Sequence, residues 1–312
     1  MSVPSGLVIV DKPGGMTSHD VVARIRRLAG TRRVGHAGTL DPMATGVLVV
    51  GVEKATRLLG YLTLTEKEYA ATIRLGQSTS TDDAEGEITA TASAAGVSAA
   101  ALTPQQLAKA VAGLTGEIQQ VPPAVSAIKV DGQRAYRLTR AGAAPELAPR
   151  PVTVHEFAVT AVRLVPGDRE TDGLMDLVAT VRCSSGTYIR ALARDLGTAV
   201  GTGGHLTRLR RTRVGGYGLD QARTLDQLAS SFEVLPLAQA ASTAFPGRQL
   251  TSDEARRLAH GGRLALAAGG DITGAAAVTD PRAPTAAYAP DGTLIALLTE
   301  ESGQARPLVV FA

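Results

Sequence analysis

The apolar and polar residues in the first third of the chain alternate between strand-like and helix-like spacing. The short apolar run Gly6–Asp11 predicts a strand, and the Lys-Pro-Gly-Gly sequence that follows predicts a turn. Thr17 and Asp20 have the spacing of a capping box, and the next apolar residues recur on one helical face, at Val21, Val22, Ile25 and Leu28. The uninterrupted run Val47–Val50 predicts a buried strand, and the alternation over residues 69–76 predicts another.

The middle of the chain continues this mixture of strands and helices. Residues 89–103 are rich in Ala, Ser and Thr and predict a loop or a weak helix, and Thr103-Pro104 predicts the start of a helix because proline suits the first turn. Residues 174–183 predict a strand. A helix from about residue 187 has its apolar face at Ile189, Leu192, Ala193 and Leu196. This face places Arg190 and Arg194 one turn apart on a polar side.

After about residue 235 the pattern changes to short apolar runs separated by Gly and Pro. These runs are Ala275–Thr279, Ala286–Ala289, Leu294–Leu298 and Pro307–Phe311. They predict the short strands of a small β-rich domain, preceded by a helix whose cap is Thr251 or Ser252.

Length and composition narrow the class of protein. A chain of 312 residues predicts two domains, and a content of 44% hydrophobic but only 3% aromatic residues predicts an aliphatic core. The single cysteine, Cys183, excludes an internal disulfide, fits a reducing compartment, and is predicted to be a small buried residue. The sequence has no signal-peptide pattern, no apolar run of membrane-spanning length and no metal-ligand spacing.

The net charge of +3 hides two arginine clusters. The first is Arg24, Arg26, Arg27, Arg32 and Arg33, and the second is Arg190, Arg194, Arg208, Arg210, Arg211 and Arg213. Acids gather elsewhere, as in residues 82–87. A solvated helix face would explain either cluster alone. Two clusters together favour a phosphate-rich partner such as RNA, because guanidinium groups bind phosphate with two hydrogen bonds.

One loop carries the strongest candidate chemistry. Residues 35–46, GHAGTLDPMATG, contain a single carboxylate, Asp41, among glycines, small residues and one proline. The Asp-Pro step predicts a turn, and the loop leads into the predicted strand Val47–Val50. Asp41 is therefore a candidate nucleophile or base displayed beside a rigid element. A turn in which the aspartate bonds its own backbone is the alternative reading of the spacing.

Four ordered stretches resemble the TruB family of tRNA pseudouridine synthases. They are GLVIVDKPGGMTSHDVVARIRRL, GHAGTLDPMATGVLVV, EYAATIRLGQSTSTDDAEGE, and CSSGTYIRALARDLG with HLTRLRRTRVG. The resemblance implies an α+β fold: a pseudouridine-synthase catalytic domain with a central mixed, largely antiparallel sheet flanked by helices, and a small C-terminal PUA-like β domain. It places the catalytic domain at residues 1–238, with an inserted RNA-gripping segment at about 121–150, and the RNA-binding C-terminal domain at 239–312.

The resemblance also implies roles for individual residues. Asp41 would be the catalytic aspartate, and Arg190 would pair with it and keep it ionised. Tyr69 would stack on the flipped uracil and is a candidate base. Substrate contacts would come from His36, Tyr188 and Leu209, with Lys12 and Pro13 shaping the pocket floor. Without the resemblance, Tyr69 is an ordinary strand residue, His36 is structural, Leu209 is core and Arg190 is a surface cation.

The function implied is isomerisation of uridine to pseudouridine at position 55 in the T loop of tRNAs, by base flipping and an aspartate-dependent break and rejoining of the glycosidic bond. It needs no cofactor or metal, and the tRNA T arm is the expected partner. A cytoplasmic monomer without protein partners is expected.

Three alternatives stay open at this point. The chain could be a synthase acting on another RNA with a guide, an RNA-binding or RNA-folding protein without catalysis, or a glycosylase that releases uracil. The first motif begins at residue 6 and the sequence ends at residue 312 without a basic tail, which favours a stand-alone enzyme over the guided type.

Overall fold

The structure is a computed structural model, and it describes residues 4–92, 99–126, 129–130, 133–134, 147–165, 173–266, 272–273 and 284–311. The chain forms two compact units. Unit 1 comprises Met1–Pro42, Gly46–Thr65 and Arg213–Ala312, and unit 2 comprises Met43–Thr45 and Glu66–Thr212. The two units group segments by their contacts and do not follow sequence order. They therefore do not test the predicted domain boundary between residues 238 and 239, which stays a prediction.

Helices and strands alternate within the described residues and are numbered here in chain order. The α-helices are α1 (Ser18–Ala29), α2 (Leu59–Leu62), α3 (Pro104–Gly113), α4 (Ile189–Ala199), α5 (Leu225–Ser230), α6 (Leu237–Ala244) and α7 (Ser252–Ala259). The strands are β1 (Gly6–Lys12), β2 (Val34–Ala37), β3 (Thr45–Val52), β4 (Lys67–Leu75), β5 (Gln77–Thr79), β6 (Ile88–Thr91), β7 (Gly116–Gln120), β8 (Lys129–Val130), β9 (Gln133–Arg134), β10 (Arg150–Leu164), β11 (Met175–Cys183), β12 (Gly204–Val214), β13 (Tyr217–Gly218), β14 (Leu235–Pro236), β15 (Gly247–Gln249), β16 (Leu264–Ala265), β17 (Ile272–Thr273), β18 (Thr285–Tyr288), β19 (Leu294–Glu301) and β20 (Gln304–Val310). Within the described residues, two 3-10 helices span Glu53–Leu58 and Ala99–Ala101.

Helix α1 begins and ends where the sequence predicts. The Thr17 hydroxyl accepts a hydrogen bond from the Asp20 amide (3.1 Å), and the Asp20 carboxylate accepts one from the Thr17 amide (2.9 Å). The two bonds form a capping box and satisfy amides that have no partner within the helix. Gly30 ends the helix in the left-handed region, at φ 62°.

The N-terminal strands of unit 1 form an antiparallel sheet. β1 pairs with β3 from Gly6 opposite Val52 to Lys12 opposite Gly46. β2 pairs with β3, and β14 pairs with β1. Side chains of this sheet share one hydrophobic core with residues from α2, α6, β18 and β19. Most of this core is aliphatic, as the composition predicted, and four aromatic side chains are also buried in it: Tyr217, Phe245, Tyr288 and Phe311.

Unit 2 is built on a second series of strands. Their order is β12, β4, β11, β10 and β7, and the pairs β4–β11, β11–β10 and β10–β7 are antiparallel. Alternate residues of β4 are buried, beginning with Lys67 and Tyr69. Helix α4 packs near β4, and α3 packs near β10. The predicted α+β class, with a largely antiparallel sheet flanked by helices, is confirmed.

The C-terminal strands form a separate six-stranded sheet in the order β16, β20, β19, β18, β15 and β17. This confirms the predicted small β domain, and Thr251 is the cap of α7. The apolar run Ala275–Thr279 lies outside the described residues. Residues 89–103 were predicted as loop or weak helix, but Ile88–Thr91 form a strand that pairs with β5. Pairing with a neighbouring strand supplies hydrogen bonds that local spacing does not reveal.

The described ranges contain neither a membrane-spanning helix nor a metal-binding group of side chains. None of the helices there is both long and apolar enough to cross a membrane. The same residues contain no group of three or more His, Cys, Asp or Glu side chains placed to hold a metal ion. The inserted segment predicted at about 121–150 lies partly outside the described residues, which include 121–126, 129–130, 133–134 and 147–150 of it.

Candidate active site

The loop that carries Asp41 is tied down on its C-terminal side by Lys12. The Lys12 ammonium, on a fully buried side chain, donates hydrogen bonds to the carbonyls of Pro13 (2.8 Å), Met16 (2.6 Å) and Pro42 (3.1 Å). The Pro42 carbonyl also accepts from the Gly15 amide (2.9 Å). Lys12 therefore does more than shape a pocket floor, because it bonds the residue that follows Asp41.

Ser18 ties down the other side of the same loop. Its buried hydroxyl donates to the Leu40 carbonyl (3.1 Å) and accepts from the Leu40 amide (2.9 Å). Both neighbours of Asp41 are thus held by the β1–α1 segment of unit 1. Gly38, in the loop, and Gly46, at the start of β3, adopt φ values of 76° and 97°, which favour glycine. Asp41 itself is half-buried on a loop with little freedom to move.

His36 lies on β2 in the same unit. It sits opposite Val50 of β3, is half-buried, and its ring packs edge-on against the ring of His19, with centroids 5.5 Å apart. The second histidine was not singled out from the sequence. Its position in the first turn of α1, two residues after the capping residue Thr17, was the available signal.

Tyr69 and Leu209 lie on neighbouring strands of unit 2. Tyr69 is on β4, opposite Val181 of β11, and Leu209 is on β12, the strand on the other side of β4. Both side chains are buried, at 7% exposure each. Two apolar candidates for contact with a uracil ring are therefore presented by adjacent strands.

Arg190 is buried, which corrects its placement on a polar side of the helix. Only 4% of the residue is exposed. Its guanidinium donates to the carbonyls of Thr81 (2.9 Å) and Val125 (3.0 Å), and its Nε lies 3.5 Å from a carboxylate oxygen of Asp83. Helical spacing alone assigned Arg190 to a solvated face, because spacing carries no information about distant segments. Here the turn that contains Thr81 and Asp83 covers this part of α4.

Asp83 is a site residue that sequence reasoning missed. It is 2% exposed, and its carboxylate also accepts hydrogen bonds from the Thr81 hydroxyl and the Glu85 amide (3.0 Å). Its neighbour Asp82 bonds Arg194 at 3.1 Å. The acidic run was treated only as a place where negative charge gathers. Its inclusion in the third family-like stretch, residues 68–87, was the signal that could have identified it.

A buried polar group lies beside Tyr69 on β4. Lys67 is 5% exposed, and burial, followed by the positive charge of Arg211, lowers its pKa to about 8. Cys183 faces Lys67 across the β4–β11 pair, and burial raises the pKa of its thiol to about 11. The prediction that Cys183 is a small buried residue is confirmed.

The two arginine clusters differ in exposure. All five arginines of the first cluster are exposed on α1 and the segment that follows it. In the second cluster, Arg190 and Arg211 are buried, so they do not form part of a basic surface. The remaining four, Arg194, Arg208, Arg210 and Arg213, keep some exposure.

The predicted site residues fall in both compact units. Asp41 and His36 belong to unit 1, whereas Tyr69, Tyr188, Arg190 and Leu209 belong to unit 2. Tyr188, half-buried, directly precedes helix α4, and Arg190 is in the first turn of that helix. The predicted ion pair between Asp41 and Arg190 stays a prediction.

Comparison with known families covers most of the chain. Residues 26–189 match the TruB family pseudouridylate synthase N-terminal domain, residues 190–239 match the tRNA pseudouridylate synthase B C-terminal domain, and residues 282–312 match the tRNA pseudouridine synthase II C-terminal model. The tRNA pseudouridine synthase B of Arthrobacter sp. (strain FB24) is 60% identical, over 99% of this chain and 97% of that protein. That of Thermobifida fusca (strain YX) is also 60% identical, over 98% of each.

Solved structures share the fold. A Cbf5–Nop10–Gar1 complex contains a chain that is 26% identical with a TM-score of 0.70, over 100% of this chain and 85% of that one. An H/ACA RNP bound to a substrate RNA containing 2'-deoxyuridine contains one that is 25% identical with a TM-score of 0.67, over 99% and 86%. The family-model match over residues 26–189 and the 60% identity over nearly the full length lead to one conclusion. The chain belongs to the TruB family of pseudouridylate synthases.

Proposed function

We propose that this chain converts uridine to pseudouridine at position 55 in the T loop of tRNAs, with Asp41 as the catalytic carboxylate. Full-length relatives named tRNA pseudouridine synthase B support tRNA as the substrate class. The observation that carries the mechanism is the Asp41 loop, whose residues on both sides are bonded by Lys12 and Ser18. A reacting group must be held to within a fraction of an ångström, and this loop meets that need.

The reaction is an internal rearrangement. The bond from N1 of uracil to C1′ of ribose breaks, the base turns, and a bond from C5 to C1′ forms, with loss of the C5 proton and gain of a proton at N1. No group or electron enters from outside. An ionised Asp41 would either attack C1′ or assist removal of a proton there. The uridine must first leave its stack, which costs a few kcal/mol.

The residues of unit 2 suit the other roles. Tyr69 and Leu209 are largely apolar side chains on adjacent strands, and an extruded uracil would contact them. Stacking contributes about 1–3 kcal/mol per base. Arg190 is held by two backbone carbonyls and the Asp83 carboxylate, so its guanidinium has a defined direction. A guanidinium beside Asp41 would favour the ionised carboxylate. His36 and Tyr188 would contact nucleotides displaced from the T loop.

Exposed arginines would supply affinity for the tRNA backbone. Arg24, Arg26, Arg27, Arg32 and Arg33 are all exposed. Phosphate contacts release counterions, so tRNA binding should weaken steeply as salt rises. Replacing two of these arginines by Gln should flatten that salt dependence while leaving the chemical step on bound tRNA unchanged.

The test is Asp41→Asn, with Asp226→Asn as the matched control because Asp226 is exposed in the first turn of α5. We expect Asp41→Asn to bind a tRNA transcript as wild type does and to lose pseudouridine formation by roughly four orders of magnitude or more. The control should keep full activity. A transcript with cytidine at position 55 should not react with the wild type.

Each alternative function has its own outcome in the same experiment. Unchanged activity of Asp41→Asn would remove Asp41 from the mechanism. Release of free uracil by the wild type would indicate a glycosylase. Binding and refolding of tRNA without product would indicate a non-catalytic RNA-folding protein, and a product at another position would indicate a different RNA target.

A further inference from the structure

Gln120, the last residue of β7, binds the backbone of Tyr188 with both ends of its side-chain amide. The residue is 1% exposed. Its side-chain oxygen accepts a hydrogen bond from the Tyr188 amide (2.8 Å), and its side-chain nitrogen donates to the Tyr188 carbonyl (3.1 Å). One glutamine thus occupies the donor and the acceptor of a single backbone residue, as a neighbouring strand would.

These two bonds lie at the start of helix α4. Tyr188 is its N-terminal cap, with an extended backbone (φ −98°, ψ 111°) and without a capping hydrogen bond from its own side chain. Its carbonyl also accepts the helical hydrogen bond of the Leu192 amide (3.1 Å). Amides at a helix start have no partner within the helix. Gln120 supplies that partner, and it sets the planes of both peptide bonds of Tyr188.

The residues after Gln120 bind the same helix twice more. The Val121 carbonyl accepts from Arg194 (2.7 Å), and the Val125 carbonyl accepts from Arg190 (3.0 Å). The segment 120–125 therefore contacts α4 at its cap, in its first turn and one turn further on. Both site residues carried by this part of unit 2, Tyr188 and Arg190, are bound by it.

We infer that Gln120 is a positioning residue for pseudouridine formation, which acts by orienting the Tyr188 side chain at the start of α4. Its side chain is buried and bonds the Tyr188 backbone at both ends, so it acts through that residue and not by touching RNA. The inference rests on the proposed function. A shift of about 1 Å in a reacting constellation reduces rates by roughly 100-fold, and loss of the two bonds permits such a shift.

The first experiment compares Gln120→Met with Gln119→Met. Methionine keeps the length of the side chain and removes both hydrogen bonds. Gln119 is the exposed neighbour on the same strand and provides the matched control. We expect Gln120→Met to slow single-turnover pseudouridine formation by about 10- to 100-fold, with the tRNA Kd within about threefold of wild type. Gln119→Met should behave as wild type. A wild-type rate for Gln120→Met, or a weakened Kd with an unchanged chemical step, overturns the inference.

Gln120→Glu provides a second test that does not depend on Gln120→Met folding. A protonated carboxyl has one donor and one acceptor, as the amide has, whereas a carboxylate only accepts. Burial raises the pKa of a carboxyl group. The rate of Gln120→Glu relative to wild type should therefore be high at pH 5.5 and fall by about tenfold or more towards pH 8.5, with the fold checked by circular dichroism at each pH. A ratio that does not change with pH overturns the inference.

A double-mutant cycle tests whether Gln120 acts through Tyr188. In a Tyr188→Leu background, Gln120→Met should slow the reaction by less than about threefold, because the side chain that it orients is gone. An equal slowing in both backgrounds overturns the inference. Failure of the proposed function looks different, because the wild type would then form no pseudouridine or Asp41→Asn would remain active.

Discussion

Replacing Asp83 by Asn isolates the charge that compensates buried Arg190. The carboxylate of Asp83 is 3.5 Å from Nε of Arg190, and both side chains are at most 5% exposed. At an effective dielectric constant of 20, two unit charges at this distance attract each other by about 5 kcal/mol. Removing one partner of a buried pair destabilises proteins by about 3–5 kcal/mol. Asparagine keeps the size of the side chain and the oxygen that accepts from the Glu85 amide, and Arg190 keeps its bonds to two carbonyls. We therefore expect Asp83→Asn to lower the free energy of unfolding by about 3 kcal/mol, the low end of that range.

Asp82→Asn is the matched control in the adjacent position. Its ion pair with Arg194 is more exposed, at 16% and 28% of the two side chains. Burial raises the pKa of Asp82, against the opposing effects of Arg194 and Arg190. A raised pKa in the folded state gives stability at acidic pH that is lost as pH rises through that pKa, so the charge of Asp82 adds little at pH 7. Its φ of 60° also suits asparagine. We expect Asp82→Asn to lower the free energy of unfolding by less than about 1 kcal/mol.

The assay is urea unfolding at pH 7, followed by circular dichroism, together with single-turnover rates on tRNA. Asp83→Asn should unfold at clearly lower urea than Asp82→Asn and should react more slowly, because Arg190 loses one of the three groups that fix its direction. Equal unfolding midpoints for the two variants would refute the reasoning, since they would mean that burial of the Arg190–Asp83 pair adds nothing beyond a surface ion pair.

Two further predictions concern buried lysines. Lys12→Met should lower the free energy of unfolding by about 3 kcal/mol and slow catalysis, because three backbone carbonyls around the Asp41 loop lose their donor. The control is Lys109→Met, since Lys109 is exposed. Equal urea midpoints for the two variants would contradict the prediction. For Lys67, a pKa lowered from 10.5 to about 8 means that the folded state binds fewer protons between these values, so wild-type stability rises with pH there. The stability of Lys67→Met relative to wild type should therefore fall by about 2 kcal/mol from pH 7.5 to pH 9.5 in urea titrations, whereas parallel pH curves would exclude the lowered pKa.

Local features of the structure could be predicted from the sequence because they depend on neighbours in the chain. The capping box at Thr17 and Asp20, the buried strand through Val47–Val50, and the C-terminal strands after residue 284 all follow from spacing or residue type over a few positions. The Asp41 loop was identified in the same way, from its glycines and its single carboxylate. Each prediction needed only the intrinsic preferences of a short segment.

The interactions that hold the site residues depended on segments far apart in the chain. Arg190 was assigned to a polar helical face, yet it is buried against Thr81, Asp83 and Val125. Spacing within one helix cannot show which distant turn covers it.

The sequence by itself therefore determined many of the elements, the family and the residue types available for chemistry. Only the tertiary structure decided which charge compensates Arg190, which amide orients Tyr188, and which lysine holds the loop of Asp41. The physical reason is that a buried charge or backbone group must find a partner wherever the folded chain places one, and that partner has no fixed separation in sequence.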